Sequence, residues 1–166
     1  MIAASIRKPE ASERAAISAV LEHAFGQRDE AALVEALVES PDTVLEMVAV
    51  HDGQIVGHVL FSRLLVATGD ERFDAVALAP LSVEPSFQGR GIGGALVVAA
   101  HRVLREAGER LSIVVGDPAY YERFGYSHAR AAGFDSAYQG EAMQAVAWGD
   151  APSRGRLEYA PAFAAL

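Results

Sequence analysis

The residues most able to do chemistry lie in the stretch Val83–Ala95, V-E-P-S-F-Q-G-R-G-I-G-G-A, where Gly89, Gly91, Gly93 and Gly94 fill four of six consecutive positions. An apolar, strand-like run precedes the stretch and an amphipathic helix follows it. Glycine at that density removes Cβ groups and lets successive backbone N–H groups converge on one point. A helix that starts at such a loop adds unsatisfied N–H donors and the positive end of its dipole. The stretch can therefore hold a phosphate or pyrophosphate without a lysine. The plain alternative is a tight strand-to-helix turn, but four glycines beside Arg90 exceed what a turn requires.

Three phosphate-binding patterns compete for this loop, and spacing separates them. Gly93-Gly94-Ala95 stands where a P-loop needs Gly-Lys-Ser/Thr, so that pattern fails. The dinucleotide pattern G-x-G-x-x-G is present at Gly89, Gly91 and Gly94, with Asp117 after the next strand. However, Pro85, Ser86 and Phe87 separate the strand from the first glycine, and too little chain follows Asp117 for a doubly wound sheet. The third pattern, Q-x-x-G-x-G, is filled by Gln88, Gly91 and Gly93. The run P-L-S-V-E-P-S-F-Q-G-R-G-I-G-G-A-L resembles, from strand through loop into helix, the pyrophosphate loop of the GNAT superfamily of N-acetyltransferases.

A second signature follows in family order. Asp117 at a helix N-cap and Pro118 at the first helical position announce a short helix that Gly125 ends. The run Y-E-R-F-G-Y from Tyr121 to Tyr126 resembles the Y-x-x-x-G-F/Y signature of the fourth GNAT helix. The closing G-R-L-E-Y-A-P-A-F resembles the YhbS-like branch. The resemblance makes Tyr121 the acid that protonates the departing CoA thiolate, with Tyr120 as its neighbour; otherwise both are packing residues. It also implies that acetyl-CoA lies along the backbone of Leu81, Ser82 and Val83, with its pyrophosphate on Gln88, Gly89, Arg90, Gly91, Ile92 and Gly93. Val83 N–H would meet the oxyanion. Asp74, Glu84 and His58 lie near the relevant strands, but none holds a position that the family fixes, and no base is assigned.

These residues need elements to position them. Ile2–Arg7 reads as a first strand, and Ser12 as the N-cap of a helix through Phe25 that stops at Gly26. Leu33/Leu37 and Val34/Val38 mark a second helix from Arg28 to Ser40. Val44–His51, Gln54–Val66 and Phe73–Val83, joined at Asp52-Gly53 and Thr68-Gly69-Asp70, predict an antiparallel meander. Pro80 inside the last of these strands implies a bulge or an unpaired side. A third helix carries Ile92, Leu96, Ala100, Val103 and Leu104 on one side and ends at Gly108. His101 falls among its charged residues, where a solvated place is expected, and His23 reads as a partly exposed packing residue. Leu111–Val115 suits a buried parallel strand. Tyr126–Ala129 with Glu141–Trp148 would form a last antiparallel pair, and Arg156–Tyr159 a final short strand. The fold expected is α/β (α+β): one GNAT domain over residues 1–166, with a mixed, mostly antiparallel twisted sheet of about six to seven strands flanked by about four helices.

Composition sets outer limits. The chain has 166 residues, 51% of them hydrophobic, enough for one real core. With no cysteine, disulfides, thiolate metal sites and a cysteine nucleophile are all ruled out. No apolar run approaches the length of a membrane span, so a soluble cytoplasmic protein without a membrane partner is expected. The net charge of -8 argues against nucleic acid and favours a cationic or amine-bearing partner. The function expected is direct transfer of acetyl from acetyl-CoA to a primary amine of a small molecule or peptide, through a ternary complex and without a metal. The resemblance is compatible with a homodimer. A non-catalytic acyl-CoA sensor or a small nucleotide-binding module would use the same glycines.

Overall fold

A computed structural model describes residues 3–165. Five α-helices pack on an eight-stranded sheet whose main path runs β1-β2-β3-β4-β5-β7. The strands are β1 (Ser5–Arg7), β2 (Thr43–His51), β3 (Gln54–Thr68), β4 (Glu71–Val83), β5 (Leu111–Val115), β6 (Phe134–Asp135), β7 (Met143–Ala147) and β8 (Gly155–Glu158). The helices are α1 (Arg14–Phe25), α2 (Asp29–Glu39), α3 (Ile92–Glu106) and the single turns α4 (Pro118–Tyr121) and α5 (His128–Ala131). The expected first strand began at Ile2, which lies outside the described residues.

The meander forms as expected, β2 to β3 to β4, all antiparallel. β4 then pairs in parallel with β5 through only Val76↔Ser112, Ala77↔Ile113 and Leu78↔Val114. On its other edge β4 stays with β3 to Val83↔Gly57, after a register shift at Ala79-Pro80, where two residues oppose Leu60. The bulge bends β4, so the two strands part at this point.

α3 crosses one face of the sheet with Ile92, Leu96, Val97, Ala100 and Leu104 buried. At about 1.5–3 kcal/mol for each large apolar side chain, this stripe anchors the glycine loop to the sheet. The other face is covered by α1 and α2 through Ile17, Val20, Leu21, Leu33, Val34 and Leu37, together with Phe163 near the C-terminus. Arg63 on β3 bonds Glu109 in a bidentate pair (3.0 and 2.9 Å) and donates to the Ala75 carbonyl (2.9 Å), fixing the turn between α3 and β5.

Three local expectations change. Ser12 does not cap α1; a 3-10 turn over Ala11–Glu13 precedes the helix, with the Glu10 N–H donating to Glu13 (2.7 Å). Tyr126–Ala129 is not a strand. Only a Ser127↔Ala145 bridge forms, because the Ser127 hydroxyl accepts from Arg130 N–H (3.2 Å) and starts α5. His101 is buried rather than solvated, edge to face with Trp148 and bonded through Nε2 to the Tyr126 hydroxyl (2.9 Å).

Burial, with help from the Arg105 charge, lowers the His101 pKa to about 4 from an ordinary 6.5. The unfolded chain therefore binds the extra proton between pH 6.5 and 4 while the folded chain refuses it, so stability is full above 6.5 and falls on acidification. The loss reaches about 3 kcal/mol at most. Urea unfolding across this range should show that slope, and His101→Gln should flatten it.

Candidate functional site

The glycine loop is held in place from both ends. Pro85–Phe87 forms a 3-10 turn, closed by the Phe87 N–H on the Glu84 carbonyl (2.8 Å). The Gln88 side-chain amide donates back to the Val83 carbonyl (3.0 Å). Gly91, with φ +84°, is the residue from which α3 starts, so the turn needs the left-handed conformation that glycine adopts without strain. The N–H groups of the first α3 turn consequently face open space rather than preceding chain.

The β4 backbone supplies the second wall. Glu84 N–H donates to the Val56 carbonyl on β3 (2.8 Å). Antiparallel pairing alternates by two residues, so Ser82 also turns its backbone toward β3, whereas Leu81 and Val83 turn theirs away. Past Leu78 no β5 strand meets that outward side. A cleft of about 810 Å³ results, lined by Leu81, Ser82, Val83, Gln88, Gly89, Gly91, Ile92 and Gly93. The structure thus brings together eight of the nine residues marked in the sequence for cofactor binding. The ninth, Arg90, is exposed at the loop tip, its guanidinium 5.8 Å from the Phe87 ring centre.

Of the two adjacent tyrosines, Tyr120 lines the cleft and Tyr121 does not; Tyr121 packs against the core beside it. A Cβ on Gly93 would fall 2.6 Å from the Tyr120 hydroxyl, so that hydroxyl lies over the first turn of α3 and Tyr120 lines the cleft. A Cβ on Gly116 would fall 2.6 Å from Cε2 of Tyr121, which places the Tyr121 ring against the end of β5, on the far side of the parted strands. The rings meet edge to face, 5.0 Å between centres. Burial raises the Tyr121 pKa to about 12, with a smaller contribution from Tyr120, and Tyr120 is shifted up in the same direction, chiefly by burial. Both phenols therefore hold their protons at neutral pH. Tyr126, buried and bonded to His101 and Ser112 (2.8 Å), supports Tyr121 edge-on from below.

The cleft also contains residues that motif reading did not single out. Arg123 and Phe124 line it with Tyr120, and the Arg123 guanidinium sits 4.7 Å from the Tyr120 ring centre. Their i, i+3, i+4 spacing on one turn was the available signal. On the opposite face, buried His58 bonds through Nε2 to Glu46 (2.7 Å), which also accepts from Arg14 (2.8 Å). Burial opposes ionisation of Glu46, but these two partners outweigh it and hold its pKa below the ordinary value. The exposed His23 meets Glu84 (2.9 Å). Asp74 is on β4 at the pair with Leu65, far along the strand from the cleft. Among the described residues no cluster of three His, Asp or Glu could hold a metal ion, and no helix is long and apolar enough to cross a membrane.

A phosphate cradle leading along a split sheet to a pair of tyrosines is the architecture of an acyl-CoA-dependent transferase. A family model described as an acetyltransferase (GNAT) domain matches residues 5–129, and the chain belongs to that family. Over 131 residues it is 37% identical to the uncharacterized N-acetyltransferase YhbS of Escherichia coli K12, covering 74% of this chain and 77% of that protein. Its fold matches a crystal structure of E. coli YhbS in complex with CoA, with a TM-score of 0.89 and 31% identity over 99% of this chain and 93% of the other. It also matches a GNAT family acetyltransferase from Brucella melitensis in complex with acetyl-CoA, with a TM-score of 0.82 and 35% identity over 97% and 98% of the two chains.

Gly116→Ala should cost about 1–3 kcal/mol in urea unfolding by pushing the Tyr121 ring away. The same change in a Tyr121→Ala background should cost clearly less, because the clash is gone; equal costs in both backgrounds would place the ring elsewhere.

Proposed function

We propose that this chain transfers the acetyl group of acetyl-CoA directly to a primary amine in a ternary complex. The observation that carries the reading is the opening between β4 and β5, where the outward backbone groups of Leu81 and Val83 run toward the N-terminus of α3. An extended arm ending in a pyrophosphate matches that track, with amide groups meeting free strand edges and the anion meeting free N–H donors.

In the step itself the amine nitrogen forms a bond to the thioester carbonyl carbon, and the carbon–sulfur bond breaks. The nitrogen loses one proton, and the departing sulfur takes one. A backbone N–H on β4 stabilises the oxyanion in between. The family resemblance points to Val83 for that contact. We favour Leu81, because it is the outward-facing donor nearer the point where the strands part. Tyr121 is the acid. Its ring lies at the β5 side of the opening, where the sulfur would sit, whereas Tyr120 lies at the phosphate end. A phenol with a pKa of about 12 stays protonated until it is needed. The chain has no cysteine to carry the acetyl group, which suits direct transfer.

Three outcomes test this reading. Gly91→Val should weaken CoA binding at least about tenfold by calorimetry, because it strains the loop and fills the space of the anion. Tyr121→Phe should lower kcat and kcat/KM together by about 10- to 1,000-fold with CoA affinity kept, whereas Tyr120→Phe should act mainly on the KM for acetyl-CoA. If both phenylalanine variants retain full kcat, no tyrosine acid operates. Between pH 6 and 10 the wild-type rate should show no descending limb from Tyr121, because its proton is lost only near pH 12.

A further inference from the structure

The opening between β4 and β5 has a second cavity behind it, on the face opposite α3. It measures about 190 Å³ and is bounded by Ala77, Ala79, Ile113, Val115, Tyr138 and Phe163, with the Tyr159 ring as a further wall. Ala77 and Ile113 are a cross-strand pair next to the last parallel rung, and Ala79 is the first residue beyond it. The coenzyme-shaped cleft ends at Leu81 and this cavity begins at Ala79, so the two approach each other along β4 from opposite faces of the sheet.

Its chemistry is unusual for a place that would receive an amine. No Asp, Glu, Lys, Arg or His lines it. Three aromatic rings form one side: Tyr138 to Tyr159 at 5.1 Å between centres and Tyr159 to Phe163 at 5.6 Å. Tyr138 is 42% exposed and marks the mouth. The Tyr159 hydroxyl is buried and does not open on the cavity, so the wall this residue supplies is the face of its ring.

We propose that this cavity is the acceptor site and that it takes a primary amine carried on a compact apolar group, an arylalkyl or branched-alkyl amine. The inference rests on the acetyl-transfer reading and adds the substrate class to it. A dry cavity of about 150 Å³ lined by aliphatic and aromatic side chains holds a benzene ring. This one accommodates a ring with a short arm, whose nitrogen points toward the strand opening. Aromatic walls attract an ammonium group as it enters. A second charge on the same substrate, as in a diamine, an aminoglycoside or an amino acid carboxylate, would be buried without a partner.

The test uses the full chain with acetyl-CoA and equal concentrations of 2-phenylethylamine, 3-methylbutylamine, putrescine, glycine and kanamycin, reading CoA thiol release. The two apolar amines should exceed the others in kcat/KM by at least about tenfold. Ala77→Leu, which fills the cavity, should lower kcat/KM for 2-phenylethylamine by about tenfold or more, with CoA affinity held within about twofold by calorimetry. Tyr138→Ala, which removes the ring at the mouth, should raise the KM for that amine several-fold with kcat kept. Preference for putrescine, glycine or kanamycin, or an unchanged Ala77→Leu, overturns the proposal. So does tighter binding of hexanoyl-CoA than of acetyl-CoA that Ala77→Leu abolishes, since the cavity would then hold an acyl chain. If no amine is acetylated, calorimetry of 2-phenylethylamine with the CoA-loaded protein separates the two readings. Binding that Ala77→Leu removes keeps the pocket and rejects transfer, whereas absence of binding rejects the pocket.

Discussion

The loss of pairing between β4 and β5 after Leu78↔Val114 is the constraint on which the rest of the structure depends. Backbone N–H and C=O groups are satisfied almost everywhere in a folded interior, so a strand that gives up a partner must face water or a ligand. Here the loss is built in. The extra residue opposite Leu60 bends β4 away from β5 while leaving it joined to β3. Around that gap lie the glycine loop with Tyr120 at one end, the Tyr121 ring at its β5 side and the aromatic cavity behind it.

The parts of the site legible in the sequence were those carried by local geometry. Gln88, Gly91 and Gly93 at their spacing, Asp117-Pro118 as a helix start, and Pro80 within an apolar strand each state a backbone requirement that only a few residue types meet. The order β2-β3-β4-β5 followed from the hairpin signals and the crossover helix, whereas the pairing of β7 with β5 did not. What escaped was set by residues distant in sequence. His101 stands among arginines on its helix, yet Trp148 and Tyr126 close over it, and it joins Val97, Ala100 and Leu104 among the buried residues of α3. Ser127 diverts a strand-like run into a helical turn with one hydrogen bond.

The C-terminal stretch illustrates the same limit. β3 is 15 residues long and β2 only 9, and their pairing ends at Thr43↔Ser62, so the far part of β3 has a free edge. β8 takes that edge at Leu65, Val66 and Ala67. An edge left open by unequal strand lengths invites another strand, and here the chain's own tail fills it. In doing so it brings Tyr159 and Phe163 to the cavity. Composition and periodicity carry no record of that pairing, since it depends on a difference between two lengths far apart in the sequence.

The parallel contact of three rungs between β4 and β5 has a mechanical side as well. It is the seam between the meander and the β5–β7 pair, and the loop-lined cleft and the aromatic cavity lie on its two sides. Residues alternate across it: Ala77 and Ile113 wall the cavity, while their neighbours Leu78 and Val114 belong to the core beneath α3. A bulkier side chain anywhere on this seam therefore presses on both layers of the protein at once.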